Sequence, residues 1–261
     1  MTDAAADPRA VWITGAASGM GAAHARRFAA MGDRVACWDL DEERLGGLVA
    51  EIRDDGGTAE PVVADVSDWA AVEREAGRVR DRLGPAQVVV ANAGIIPTGE
   101  HLEQVDPADF RRVVEINLTG CFLTAKAAAP QLREGGGGRL ILISSICGLT
   151  ASAGFGAYNA SKHGVIGLMR TLVHELAPDD VTVNAICPGW IRTPMFEGSF
   201  EAVPEAERDL EAFTDMHLID RLIEPEEVTD AVVWLASPAA RTVTGVALPV
   251  DAGLMETRAW P

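Results

Sequence analysis

Tyrosine occurs once in this chain of 261 residues, lysine twice, and aromatic residues make up only 5% of it. Basic residues are scarce as well: 22 Lys and Arg stand against 39 Asp and Glu, for a formal net charge of −17. Nucleic acid and anionic membrane both require a basic face, so neither is an expected partner. An acidic surface of this size either solubilises a protein or adapts it to salt. Long apolar runs are also missing. No charge-free stretch approaches the roughly 18 residues of a membrane helix. The opening MTDAAADPRA carries acids and a proline where a secretory signal needs a basic and then a strongly apolar stretch. A cytoplasmic protein is expected. The four cysteines, Cys37, Cys121, Cys147 and Cys187, form no CxxC pair and no zinc-ligand spacing with histidine, so neither a metal nor a disulfide scaffold is expected. Cys37 and Cys187 lie in apolar runs where a thiol acts as a small hydrophobe. Cys147 reads as packing or pocket lining, with nothing nearby to lower its pKa.

Hydrophobic residues make up 48% of the chain, ample for a buried core. Short β-branched runs are expected as strands at 10–14, 34–38, 58–63, 87–91, 139–144, 181–186 and 247–250. Amphipathic stretches near 19–31, 41–54, 68–83, 107–133, 156–177 and 225–236 are expected as helices. Such alternation predicts a parallel sheet covered by helices on both faces. Asp106-Pro107 offers an N-cap and a first-turn proline, and the glycines after Glu134 end that long helix. Pro225-Glu226-Glu227 starts another with acids at its positive end. The expectation is a flexible N-terminus over 1–9, then one domain over 10–261. An insertion near 188–224 holds Met195, Phe196, Phe200, Val203, Phe213, Met216 and Leu218. It reads as a lid or as short helices packed on the core.

The first expected strand runs into Thr14-Gly15-Ala16-Ala17-Ser18-Gly19-Met20-Gly21, which opens the first helix. Glycines there allow a tight turn and let backbone N–H groups approach a pyrophosphate, helped by the helix dipole. Asp39 ends the second strand, where a dinucleotide-binding fold places a carboxylate against the adenosine ribose hydroxyls. That charge repels the 2′-phosphate of NADP. No Arg or Lys occupies the glycine turn, and Leu40 follows the acid, so NAD is the expected cofactor. As a bare strand-end turn former, Asp39 would need no such role.

Tyr158 and Lys162 are four residues apart on an expected helix and therefore share a face. A free phenol titrates near 10. Lowering it by about three units takes roughly 4 kcal/mol, which a neighbouring ammonium and a cationic nicotinamide ring could supply together. Thr14–Gly21 as TGxxxGxG, Asn92-Ala93-Gly94, Asn117, Ser145, Tyr158xxxLys162 and Pro188-Gly189 with Thr193 occur in order at fitting intervals. With these pieces the chain resembles a short-chain dehydrogenase/reductase over essentially its whole length.

The resemblance implies a Rossmann-type doubly wound parallel sheet of about seven strands. It implies Tyr158 as proton donor and acceptor, and Ser145 as hydrogen-bond partner of the substrate oxygen, with Ser144 the alternative pointing the other way. Lys162 would bind the nicotinamide ribose, and Asn117 would interrupt the long helix and hold a relay water. Further cofactor contacts are implied at Gly15, Ser18, Gly19, Met20, Gly21, Asp65, Val66, Asn92, Ala93, Gly94, Pro188, Gly189, Ile191 and Thr193. Structural support competes with that role for Asn92 and Thr193. His24, His163 and His174 read as surface or packing residues, while His101 and His217 flank the expected substrate opening. The expected function is hydride transfer between NAD(H) and an apolar or alicyclic secondary alcohol or ketone. The alternative is an NAD(H)-binding redox sensor without catalysis. The family's habit implies a homo-oligomer, a tetramer before a dimer.

Overall fold

The computed structural model describes residues 7–97, 99–134, 136–201 and 210–256. Seven parallel strands form one sheet: β1 (Ala10–Thr14), β2 (Arg34–Asp39), β3 (Thr58–Val63), β4 (Ala86–Ala91), β5 (Arg139–Ile143), β6 (Thr182–Pro188) and β7 (Ala247–Val250), in the order β3-β2-β1-β4-β5-β6-β7. The central strands are buried along their length, which explains why they read as continuous apolar runs and not as alternating ones. One face carries α1 (Gly19–Ala30), α2 (Glu42–Asp54) and α9 (Pro225–Leu235). The other carries α3 (Trp69–Leu83), α5 (Gly120–Glu134) and α6 (Gly156–Leu176). The remaining helices are α4 (Pro107–Val114), α7 (Pro194–Glu201) and α8 (Leu210–Asp215). Among the described residues no helix is long and apolar enough to cross a membrane.

The helix starts follow local chemistry. Asp41, Asp68 and Asp106 each accept a hydrogen bond from a first-turn N–H of α2, α3 and α4, which satisfies donors the helix cannot. At α9, Glu227 reaches back to the Glu224 N–H. The stretch expected as one helix over 107–133 is broken by a π-helical turn at Glu115–Thr119, which brings Asn117 inward. Arg9, within the segment expected to be flexible, makes a forked ion pair with Asp33 and donates to the Ala236 carbonyl. Pro188, where the insertion near 188–224 was expected to begin, is the last residue of β6, past the end of the β5 pairing, where the ladder to β5 needs no N–H from it.

Candidate active site

Strand order reverses at β1, which pairs with β2 on one side and β4 on the other. Crevices at such switch points are where open α/β sheets bind ligands. Thr14 pins the crevice: its Oγ1 accepts the Asn92 and Ala93 N–H groups at 2.9 and 3.0 Å. Asn92 Nδ2 donates to the Thr14 and Gly15 carbonyls, so the supporting role weighed for Asn92 is the one its contacts display. Gly15 has φ of +66°, and a Cβ there would sit 2.9 Å from the Ala93 Cα. A Cβ on Gly21 would lie 2.0 Å from the Gly15 carbonyl oxygen. Only glycine permits this approach of backbone to backbone, and the same opening leaves the α1 N-terminus bare for an anion. A phosphate-bearing dinucleotide fits such a cradle.

The cleft above it, about 1060 Å³ and open to solvent, is lined by Gly15, Ser18, Gly19, Met20, Asp39, Asp65, Val66, Asn92, Ala93, Gly94 and Thr193, all singled out in the sequence. It also takes in Leu40, Ile95, Ile116 and Arg112, which the motifs did not mark. Asp39 accepts the Ala17 N–H on one oxygen and the Asp41 N–H on the other. Its carboxylate therefore sits fixed at the end of β2, facing the cleft.

A second cleft, about 720 Å³, opens beside the first and shares Met20, Thr193 and Met195 with it. Ser144, Ser145, Tyr158, Pro188, Gly189 and Ile191 line it together with Ile96, Ile146, Cys147, Phe155, Trp190 and Phe196. Trp190 stacks edge-on with Phe213 at 5.0 Å between ring centres and lies 6.0 Å from Phe196, tying α7 and α8 to the loop after β6. The described part of the insertion holds the short helices α7 and α8, and Met195 and Phe196 of α7 line the cleft. Phe200 and Val203 lie outside the described side chains. Trp190 and Phe155 escaped the sequence reading, because nothing marks an apolar loop residue as pocket wall before the chain is folded.

Tyr158 and Lys162 come together as their spacing requires, with Nζ 5.5 Å from the phenol ring centre. Lys162 is buried, and its ammonium donates to the Ile143 carbonyl at 3.0 Å. Asn117 exchanges two hydrogen bonds with Ile95 and donates to Ser161 Oγ, whose hydroxyl donates in turn to the Tyr158 carbonyl. Gly94 packs between Asn117 Oδ1 and Lys162 Nζ, where a side chain would meet both. Ser144 and Ser145 both border this cleft but bond differently. Ser144 donates to the Lys162 carbonyl, while Ser145 Oγ accepts the Cys147 N–H and reaches the Tyr158 hydroxyl.

The expectation was that the ammonium and a cationic nicotinamide ring together acidify the phenol. In the chain by itself, burial pushes the Tyr158 phenol up, the neighbouring Cys147 thiol adds to that, and the Ser145 hydrogen bond opposes it. Burial also lowers Lys162 to about 8, with the thiols of Cys121, Cys187 and Cys147 pulling the other way. The packing that joins the pair also takes both groups out of water, and burial is the largest cause of each shift. Cys147 is pushed up by burial, in keeping with a packing role. Of the histidines, His101 and His163 are exposed, and neither lines a described cleft. His217 is buried behind Gly189, accepting the Trp190 N–H at 3.4 Å, and lies outside the substrate cleft.

Comparison with known proteins agrees with this geometry. Residues 15–255 match a family model described as enoyl-(acyl carrier protein) reductase. A putative short-chain type dehydrogenase/reductase of Mycolicibacterium smegmatis is 37% identical, over 95% of this chain and 97% of its own. The cis-4-hydroxycyclohexanecarboxylate dehydrogenase of Sinomonas cyclohexanicum is 39% identical over 94% and 96%. The crystal structure of carveol dehydrogenase from Mycobacterium avium in complex with NAD superposes with a TM-score of 0.91 at 33% identity, covering 95% of this chain and 98% of that one. With its family match, its relatives and its seven-stranded parallel sheet, the chain belongs to the short-chain dehydrogenase/reductase family.

Proposed function

We propose that the enzyme reversibly oxidises an apolar alicyclic secondary alcohol to its ketone with NAD. One observation carries this reading: Tyr158 and Ser145 lie in an apolar cleft that shares a wall with the dinucleotide-sized cleft at the glycine turn. Bound in the cleft at the glycine turn, NAD would supply the acceptor for the hydride. The chain's own residues do the rest. Ser145 donates to the substrate oxygen, Tyr158 takes the hydroxyl proton, and in the reverse direction Tyr158 returns it. Lys162 binds the nicotinamide ribose, and its charge, joined by that of the oxidised ring, offsets the burial that holds the phenol protonated. Asn117 keeps the Lys162 end of the site open to a relay water. Asp39 favours NAD by bonding the ribose hydroxyls and repelling a 2′-phosphate. Pro188, Gly189, Ile191 and Thr193 position the carboxamide.

The names of the Sinomonas and Mycobacterium avium enzymes both denote alicyclic alcohols, which supports the alicyclic class; of the two, carveol is the apolar one and the other carries a carboxylate. Assembly as a cytoplasmic homotetramer fits the exposed Phe110, Phe122, Trp234 and Val246. The test is a panel of cyclohexanols, linear alcohols and sugars with NAD and NADP, followed at the reduced-nicotinamide absorbance. Turnover is expected with the cyclic alcohols and NAD, and loss of at least about 10³-fold in Tyr158→Phe, a proton-transfer contribution of 10²–10⁴ being usual. Preference for NADP, or full turnover by the variant, overturns the reading.

A further inference from the structure

Arg112 is the one basic side chain lining the dinucleotide cleft among the described residues. It stands in the last turn of α4, four residues before Ile116, so both present one helical face to that cleft. Nothing in the sequence separates it from a surface arginine, and its surroundings offer it ordinary partners. Asp109 and Glu115 are each three residues away along the helix, at ion-pairing distance in sequence. The guanidinium pairs with neither. Most arginines of this acidic chain hold a carboxylate, Arg26 with Glu51 and Arg221 with Glu227 among them. Arg112 instead lines the cleft, on a helical face continued by Ile116 and then by Gly120, which packs against Val66 beyond the end of β3, and it also borders a neighbouring cavity with Ile95 and Asp109. A dinucleotide seated with its ribose on Asp39 directs its adenine there.

We propose that Arg112 is a cofactor-binding residue that lays its guanidinium over the adenine ring, an inference that rests on the dinucleotide reading above. A planar cation suits this place better than an ammonium would, because it stacks on a π face while its edge stays hydrated. It also places a positive charge in a cleft that otherwise presents Asp39 and Asp65 to a ligand carrying two phosphate charges.

The test measures binding without turnover. Dissociation constants for NADH, NADPH, ADP-ribose, reduced nicotinamide mononucleotide and inorganic pyrophosphate are compared in wild type, Arg112→Ala and Arg112→Lys, alongside thermal unfolding. Arg112→Ala is expected to weaken NADH and ADP-ribose by one common factor of about 5–30, the range for a desolvated cation–π contact. Mononucleotide and pyrophosphate binding and the unfolding midpoint should not change, and Arg112→Lys should recover only part of the loss. Unchanged ADP-ribose binding overturns the proposal. So does an equal loss for pyrophosphate, which would move the contact to the phosphates, or a loss confined to NADPH, which would make Arg112 a 2′-phosphate partner. Failure of the wild type to bind any of the dinucleotides instead refutes the cofactor reading itself, so the two failures are distinct.

Discussion

Lys162 is only 4% exposed, so its ammonium sits largely out of bulk solvent. Its pKa is lowered to about 8, below the ordinary lysine value of 10.5, by burial first. Between those two pH values the unfolded chain binds a proton that the folded chain does not, so stability rises with pH across that window. Below about pH 8 the folded protein carries the whole penalty, about 3 kcal/mol at 1.36 kcal/mol per unit. Lys162→Met should therefore abolish turnover and yet gain stability relative to wild type at pH 7, with the advantage shrinking toward pH 10. Urea unfolding of both proteins at several pH values measures this, and parallel curves would sink it. In its proposed role, Lys162 is then a residue kept for chemistry at a cost to the fold.

At the scale of elements, α1 sits close to the sheet, where its N-terminus would face the pyrophosphate of the proposed dinucleotide, and α9 packs against it. His24 on α1 is fully buried, its Nδ1 2.7 Å from Thr229 Oγ1 on α9. The Thr229 hydroxyl proton is engaged by the Pro225 carbonyl, so the imidazole Nδ1 must be the donor, and Nε2 is left as a buried, unpartnered lone pair. Burial lowers the His24 pKa from 6.5 to about 3. As pH falls through that window the unfolded chain takes up a proton the native state refuses, and stability is lost. The whole effect is about 4–5 kcal/mol on the same scale. His24→Gln, which cannot titrate, should flatten the acid limb: less stable than wild type near pH 7, it should converge on it or overtake it near pH 4. Thermal melts from pH 7 to 4 decide the point, and an acid limb as steep as that of wild type refutes it.

For the molecule as a whole, the net charge of −17 on a 27.6 kDa body means that most long-range pairs repel. Surface ion pairs such as Arg26–Glu51 and Arg133–Asp179 are half exposed and contribute little each. Salt screens both the pairs and the repulsion, and the repulsion is the larger sum. The unfolding midpoint is expected to rise when sodium chloride is raised from about 0.05 to about 0.5 M, where the Debye length falls well below 10 Å. A midpoint that falls would show the local pairs to dominate.

The sequence by itself determined the layer architecture, the cofactor turn and the Tyr158–Lys162 pair, because each rests on short-range rules. Strand runs buried on both faces, glycines that alone fit a close approach, and two side chains one helical turn apart need no knowledge of distant residues. Even the break at Asn117 was legible, through its place among the motifs. Only the tertiary structure decided what depends on residues far apart in the chain. It set Trp190 and Phe155 as walls of one cleft and aimed Arg112 into the other, and it drew the charges of Lys162 and Tyr158 out of water together. Burial is a property of everything that surrounds a group, and no spacing along a helix reports it.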